Sequence, residues 1–160
     1  MTEIIRRAVP EDAADITDMI YGLAEFERAP EKCTVTETQI STALFGDSPT
    51  VHGHVAVVDG EVAAMALWFL SFSTWEGVAG IYLEDLFVRA RFRRRGLARA
   101  LLSALARECH DNGYTRLSWA VLNWNSDAIA LYDRVGAQPQ DEWTTYRLSG
   151  SRLAELAQSR

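Results

Sequence analysis

YLEDLFVRARFRRRGLARALL, residues 82–102, is the stretch from which the rest of the chain is read. Residues 81–88 form an apolar run broken only by Glu84 and Asp85, as expected of a strand buried on both faces. Downstream, Leu97, Leu101, Leu105 and Cys109 recur at helical spacing, so Arg93-Arg94-Arg95-Gly96-Leu97-Ala98 forms the turn into a helix. A helix N-terminus offers unpaired backbone N–H groups and the positive end of the dipole. Gly96 lets the backbone approach a ligand closely, the small Ala98 keeps the first turn open, and the arginines add positive charge. These features describe a pyrophosphate cradle. They also describe a solvated basic loop before an ordinary helix, and one glycine with a charge run does not separate the two.

Upstream, residues 3–8 read as a strand, and Pro10-Glu11-Asp12 opens a helix that buries Ile16, Met19, Ile20 and Leu23 and ends before Pro30. Thr36-Glu37-Thr38-Gln39 has the form of a capping box for a short helix towards Phe45. Asp59-Gly60 between two apolar runs is a strong hairpin signal and predicts antiparallel strands over 54–58 and 61–69. Beyond the long helix, Gly113 acts as a stop and residues 116–122 read as a strand. Asn123-Trp124-Asn125-Ser126 caps a helix with Ala128, Leu131, Tyr132 and Val135 on one side, ending at Gly136. Residues 143–148 read as a final strand, and 151–158 are compatible with a short helix. With no repeat or linker, residues 1–160 read as one mixed α/β domain in the order β-α-α-β-β-β-α-β-α-β.

At 160 residues and 48% hydrophobic content the chain is large enough for a core without staples. Cys33 and Cys109 form no disulfide framework, and the absence of a leader or membrane-length apolar run points to a reduced, cytoplasmic protein. His52 and His54 alternate on one strand face, but no third ligand has suitable spacing, so no metal is expected. A net charge of −6 argues against nucleic acid, for which Phe92 alone is a poor stacking platform. The five arginines between Arg89 and Arg95 form a local patch of opposite sign, suited to an anionic ligand.

Beyond the turn, RRRGLA (93–98), the segments EFE (25–27), STWEG (73–77), YLEDLFV (82–88) and AVLNWNSDAIALYDRVGA (120–137) resemble, in order and spacing, the GNAT acetyltransferases of the diamine and thialysine branch. The resemblance implies a GNAT-like mixed central sheet with helices on both faces, acetyl-CoA as co-substrate, a small-molecule amine as acceptor, and a homodimer. By the same resemblance, the N–H groups and side chains of Arg93, Arg94, Arg95, Gly96, Leu97, Ala98 and Arg99 hold the pyrophosphate. Main-chain groups of Leu86, Phe87 and Val88 meet the acetyl and pantetheine parts, and Asn125, with Ser126, Asp127 and Ala128 after it, meets the pantetheine arm.

Acetylation of an amine needs a base for the ammonium and an acid for the departing thiolate. Glu84 is the expected base, since a carboxylate in an apolar strand has its charged form disfavoured; a structural carboxylate satisfied by N–H groups or an arginine is the alternative. Asp85, the next residue, is expected on the opposite strand face. Tyr132 lies on the apolar helix face seven residues after Asn125, where most tyrosines serve the core; the resemblance makes it the acid. Glu27, Trp75 and Glu84, with Asp85 next to it, suit an ammonium, which carboxylates and indole faces attract, and the resemblance implies that the pair Phe26-Glu27 lies near the acceptor. Ser73 stands where polyamine-acetylating relatives tend to carry an aspartate, which favours a thialysine- or lysine-like acceptor over a diamine or polyamine. Acetylation of protein lysines or N-termini shares the cofactor features, and a non-catalytic acetyl-CoA sensor is the reading from another class.

Overall fold

A computed structural model describes residues 2–160 as two compact units, one up to Ser126 and one over Asp127–Arg160. In the first, five strands lie in the order β1 (Glu3–Arg7), β2 (His52–Val58), β3 (Glu61–Ser73), β4 (Val78–Val88) and β5 (Leu117–Ser118). The first four pair antiparallel, and β5 adds in parallel to β4. Helices α1 (Ala13–Phe26) and α2 (Glu37–Phe45) supply Ile16, Met19 and Leu44 to a core with Val55, Val62, Met65 and Leu67 of the sheet. Helix α3 (Leu97–Asn112) packs on the other face and buries Leu97, Leu101, Leu105 and Cys109, the row expected from its spacing.

Local chemistry sets these elements. Asp59 and Gly60 both adopt positive φ, 49° and 84°, as the two-residue hairpin between β2 and β3 requires. The expected capping box forms at α2: Thr36 Oγ1 accepts from the Gln39 N–H at 3.2 Å, and Gln39 Oε1 accepts from the Thr36 N–H at 2.9 Å. Pro10–Asp12 is a 3-10 turn that precedes α1. The chain leaves α3 at Gly113 in the left-handed region, φ 72°.

Two elements differ from expectation. Of the strand expected over 116–122 only Leu117 and Ser118 pair, against Ile81 and Tyr82. Residues 143–148 make no ladder bonds and are not a strand; their β-formers express a propensity that only a paired neighbour converts into structure. The second unit holds most of α4 (Ser126–Arg134), closed by bonds from the Val135 N–H to the Leu131 carbonyl and from the Ala137 N–H to the Tyr132 carbonyl, and α5 (Gly150–Gln158).

On the α3 face, Trp68 Nε1 donates to Nδ1 of buried His54 at 3.1 Å. Glu108 of α3 faces His54 Nε2 at 3.9 Å and accepts from Arg7 of β1 at 2.5 Å, while the Arg7 guanidinium lies over the Trp68 ring. Burial, and then the Arg7 charge, push the His54 imidazole down against the opposing effect of Glu108, and His52 shifts the same way. A histidine whose pKa is depressed on folding contributes stability that is complete above the unfolded value of about 6.5 and lost as pH falls. Chemical unfolding should therefore give a lower free energy at pH 5 than at pH 7, and His54→Gln, which keeps an acceptor for Trp68, should narrow that difference. An undiminished difference in the variant would assign the loss to other groups.

Candidate active site

Strand β4 does not alternate regularly. Its register against β3 pairs Trp68 with Leu83 and Leu67 with Asp85, which makes Glu84 the extra residue of a β-bulge. The faces follow from the partners. Leu67 lies in the core with Ile16 and Met19 of α1, whereas Trp68 bonds His54 on the α3 side. Leu83 therefore faces α3 and Asp85 faces α1. Glu84 is left unpaired between them, exposed, and its charge acts on Asp85. The regular alternation behind the expectation that Glu84 and Asp85 occupy opposite faces does not run through this segment: the bulge resets it between Leu83 and Asp85, and the Glu84 charge is felt at the Asp85 carboxyl.

Helix α1 runs antiparallel to β4 on the side that Asp85 faces. Arg89 donates to Asp18 at 2.5 Å and to Asp15 at 2.8 Å, and one turn later Gly22 abuts the Phe87 ring so closely that an added Cβ would lie 2.9 Å from it. Four helical residues advance about 6 Å and two strand residues about 6.6 Å. The next turn, with Phe26 and Glu27, is thus level with Asp85. The electrostatics agree: burial, and then the charges of Glu84 and Glu27, push the Asp85 carboxyl up to about 6. Partial burial raises the Glu27 carboxyl, although its surface is largely open to water. Glu84 is exposed, so the desolvation argument made for it from the sequence belongs to Asp85 instead.

Phe26, itself 40% exposed, has one ring and one guanidinium beside it. Its ring centroid is 5.8 Å from Trp124, which carries Arg28 at 4.0 Å on its face, and the Arg93 guanidinium lies 5.2 Å from Phe26 and 5.6 Å from Phe87. Arg93 also donates from Nε to the Val88 carbonyl at 3.0 Å. Trp124 and Arg28 were not singled out in the sequence, where a contact between residues so far apart leaves no signal.

At the turn, Arg94 and Gly96 adopt positive φ, 62° and 78°, and α3 begins at Leu97 with its first internal bond from the Ala100 N–H to the Gly96 carbonyl. The N–H groups of Leu97, Ala98 and Arg99 therefore precede any intrahelical acceptor. A Cβ added at Gly96 would meet no atom within 4 Å, so the glycine meets a conformational demand and leaves its face open to a ligand. Pairing of β4 with β5 stops at Tyr82 and Ser118. Past that point the main chain of Leu86, Phe87 and Val88 has no strand partner on the β5 side among the described residues. This cradle and this open edge fit a phosphate-bearing thioester. Asn125 and Ser126 sit at the start of α4, followed by Asp127 and Ala128, and Tyr132 is half-buried two turns along the helix.

Trp75 stands apart. It is 94% exposed in the β3–β4 turn, and Val78 lies six residues, about 20 Å of strand, from Glu84. The grouping of Trp75 with Glu27 and Glu84 is not formed within one chain. Ser73, beside Trp75, is buried, and its hydroxyl accepts from the Glu76 N–H and from Arg116, both at 3.2 Å. Arg116 also contacts Glu76, which Thr115 bonds as well. The cation next to position 73 escaped the sequence reading because Arg116 reaches it across the parallel β4–β5 pair.

Residues 18–137 match the model of the Acetyltransferase (GNAT) family. The thialysine N-epsilon-acetyltransferase of Caenorhabditis elegans is 38% identical over 151 residues, covering 92% of each chain. Its namesake from Bos taurus is 34% identical over 96% of each. Among solved structures, an integron cassette protein of V. cholerae superposes with a TM-score of 0.83 at 25% identity over 99% of each chain. With a bulged carboxylate strand, an arginine turn opening a helix, and matches over most of its length, the chain belongs to the GNAT acetyltransferase family.

Proposed function

We propose that residues 1–160 act as one domain that transfers the acetyl group of acetyl-CoA to the side-chain amine of a lysine-like amino acid. The observation that carries this reading is the meeting of the charges of Glu27 and Glu84 at the Asp85 carboxyl, at the bulge of β4 and beside its unpaired edge. An ammonium is drawn to such a set, and Phe26 beside it supplies an aromatic wall. Acetyl-CoA supplies the acetyl group as a thioester. The N–H groups after Gly96 receive its pyrophosphate, and a main-chain N–H of residues 86–88 polarises the carbonyl to be attacked. Family resemblance supports Tyr132 as the donor of a proton to the thiolate and Asn125 as the contact for the pantetheine arm. That both relatives are thialysine N-epsilon-acetyltransferases supports thialysine, a lysine analogue with sulfur in its side chain, as the acceptor class.

Where the β3–β4 hairpin of one subunit reaches the site of another, the positive charge that Arg116 places beside Ser73 favours one distal amine over a long polycation. In a competition of thialysine, lysine, ornithine, putrescine, spermidine and spermine, the amino acids should have the highest kcat/KM. Ser73→Asp alone should change the order little, because Arg116 neutralises the new carboxylate, whereas Ser73→Asp with Arg116→Gln should move it towards the polyamines. In the same assay Tyr132→Phe should lower kcat for every amine by about 10²-fold. A wild type that prefers spermine would overturn the amino-acid acceptor, and tight acetyl-CoA binding with no product from any amine would favour a sensor.

Gly96→Val should weaken acetyl-CoA by at least about tenfold in calorimetry, since a β-branched residue is strained at φ 78° and crowds the cradle. Unchanged affinity would put the cofactor elsewhere.

The distance of Trp75 from Glu84, together with exposed Leu70, Phe72 and Trp75 on the β3–β4 hairpin, supports a homodimer in which the hairpin reaches the other subunit. Sedimentation at micromolar concentration should give twice the monomer mass, and a monomer would contradict it. No helix among the described residues is long and apolar enough to cross a membrane, and the small-molecule reaction suits a cytoplasmic enzyme.

A further inference from the structure

Two carboxylates at a bulge need not share one task. Resting on the acetyl-transfer reading above, we propose that Asp85 accepts the proton of the acceptor ammonium, while exposed Glu84 and Glu27 hold the cation in place. The assignment follows from the parity of β4. Asp85 pairs with Leu67, which is 4% exposed, and lies one strand repeat from Phe87, whose ring rests on Gly22. It is thereby set into the angle between the sheet and the end of α1. Glu84 is the residue that the bulge extrudes, and it stays exposed. A base must be deep enough for proton transfer to compete with solvation, whereas a guiding charge works best where a cation first arrives.

The groups facing Asp85 are acidic: Glu84 from its own strand and Glu27 from the end of α1, with apolar Leu67 opposite on β3. Arg93 lies over the neighbouring rings of Phe87 and Phe26. Two like charges make Asp85 a better proton acceptor than an isolated aspartate, and they attract the substrate that delivers the proton. The reaction balances as follows. An ammonium and the thioester give an amide, a thiol and one proton: the N–C bond forms as the C–S bond breaks, one ammonium proton passes to the Asp85 carboxylate and then to water, and the other ends on the thiol.

The test is the pH dependence of kcat/KM for thialysine at saturating acetyl-CoA. Wild type should show an acid limb with a midpoint near the value of about 6 to which Asp85 is raised. Asp85→Asn should lose that limb together with about 10²-fold in rate. Glu84→Gln and Glu27→Gln should keep it but move it to lower pH, because each removes a like charge, and should raise KM for the amine. A limb that persists in Asp85→Asn and vanishes in Glu84→Gln overturns the assignment. Should Asp85→Asn fail to fold, carboxyl NMR of the wild type decides: an Asp85 titration that does not move to lower pH in Glu27→Gln also overturns it. A wild type that acetylates no amine defeats the acetyl-transfer reading instead, and a flat profile at full activity defeats only the role of Asp85.

Discussion

Strand β4 switches the parity of its side chains at Glu84, and both the packing of the core and the setting of Asp85 depend on where that switch falls. Before it, Leu83 packs towards α3 with Trp68; after it, Asp85 and Phe87 pack towards α1 with Leu67 and Met65. A regular strand of this composition would hold Leu83, Asp85 and Phe87 on a single face. The extra residue lets one strand serve the α3 core with its first half and the α1 side with its second. The pairing with β5 also ends at Tyr82, two residues before the switch, so the second half keeps a free main-chain edge. The insertion separates the two packing directions of β4, and the early end of β5 leaves unpaired backbone beside the two carboxylates.

What was legible in the sequence was local. Asp59-Gly60, the Thr36–Gln39 box and the row of Leu97, Leu101, Leu105 and Cys109 depend on residues within a few positions of one another, and each element formed as read. The bulge was not legible, because nothing in YLEDLFV marks which residue of β3 each position will oppose; simple alternation therefore does not carry from Leu83 to Asp85. The two-residue β5 and the unpaired 143–148 fail for the same reason, since strand formers there were counted without knowledge of a partner. For the candidate site, Glu27 of EFE and Glu84 of YLEDLFV both act on the Asp85 carboxyl, whereas Trp75, which chemistry alone groups with them, is separated by the length of the β3–β4 hairpin.

The arginine run illustrates how charge in a sequence is divided in a structure. Of the five arginines between Arg89 and Arg95, Arg89 bonds Asp15, Asp18 and the Val62 carbonyl, Arg91 pairs with Glu61, and Arg93 bonds the Val88 carbonyl beneath two rings. Arg95 lies over the Phe92 ring. These side chains tie the turn to α1, β3 and β4 before any ligand is considered. What the turn presents to an anion is therefore chiefly its backbone, with Arg94 and Gly96 in left-handed conformations that free the N–H groups of the first turn of α3. The arginines fix the shape of the turn, and since Arg93 spans Phe26 and Phe87, the same tie that shapes the start of α3 also seats the end of α1 that carries Glu27.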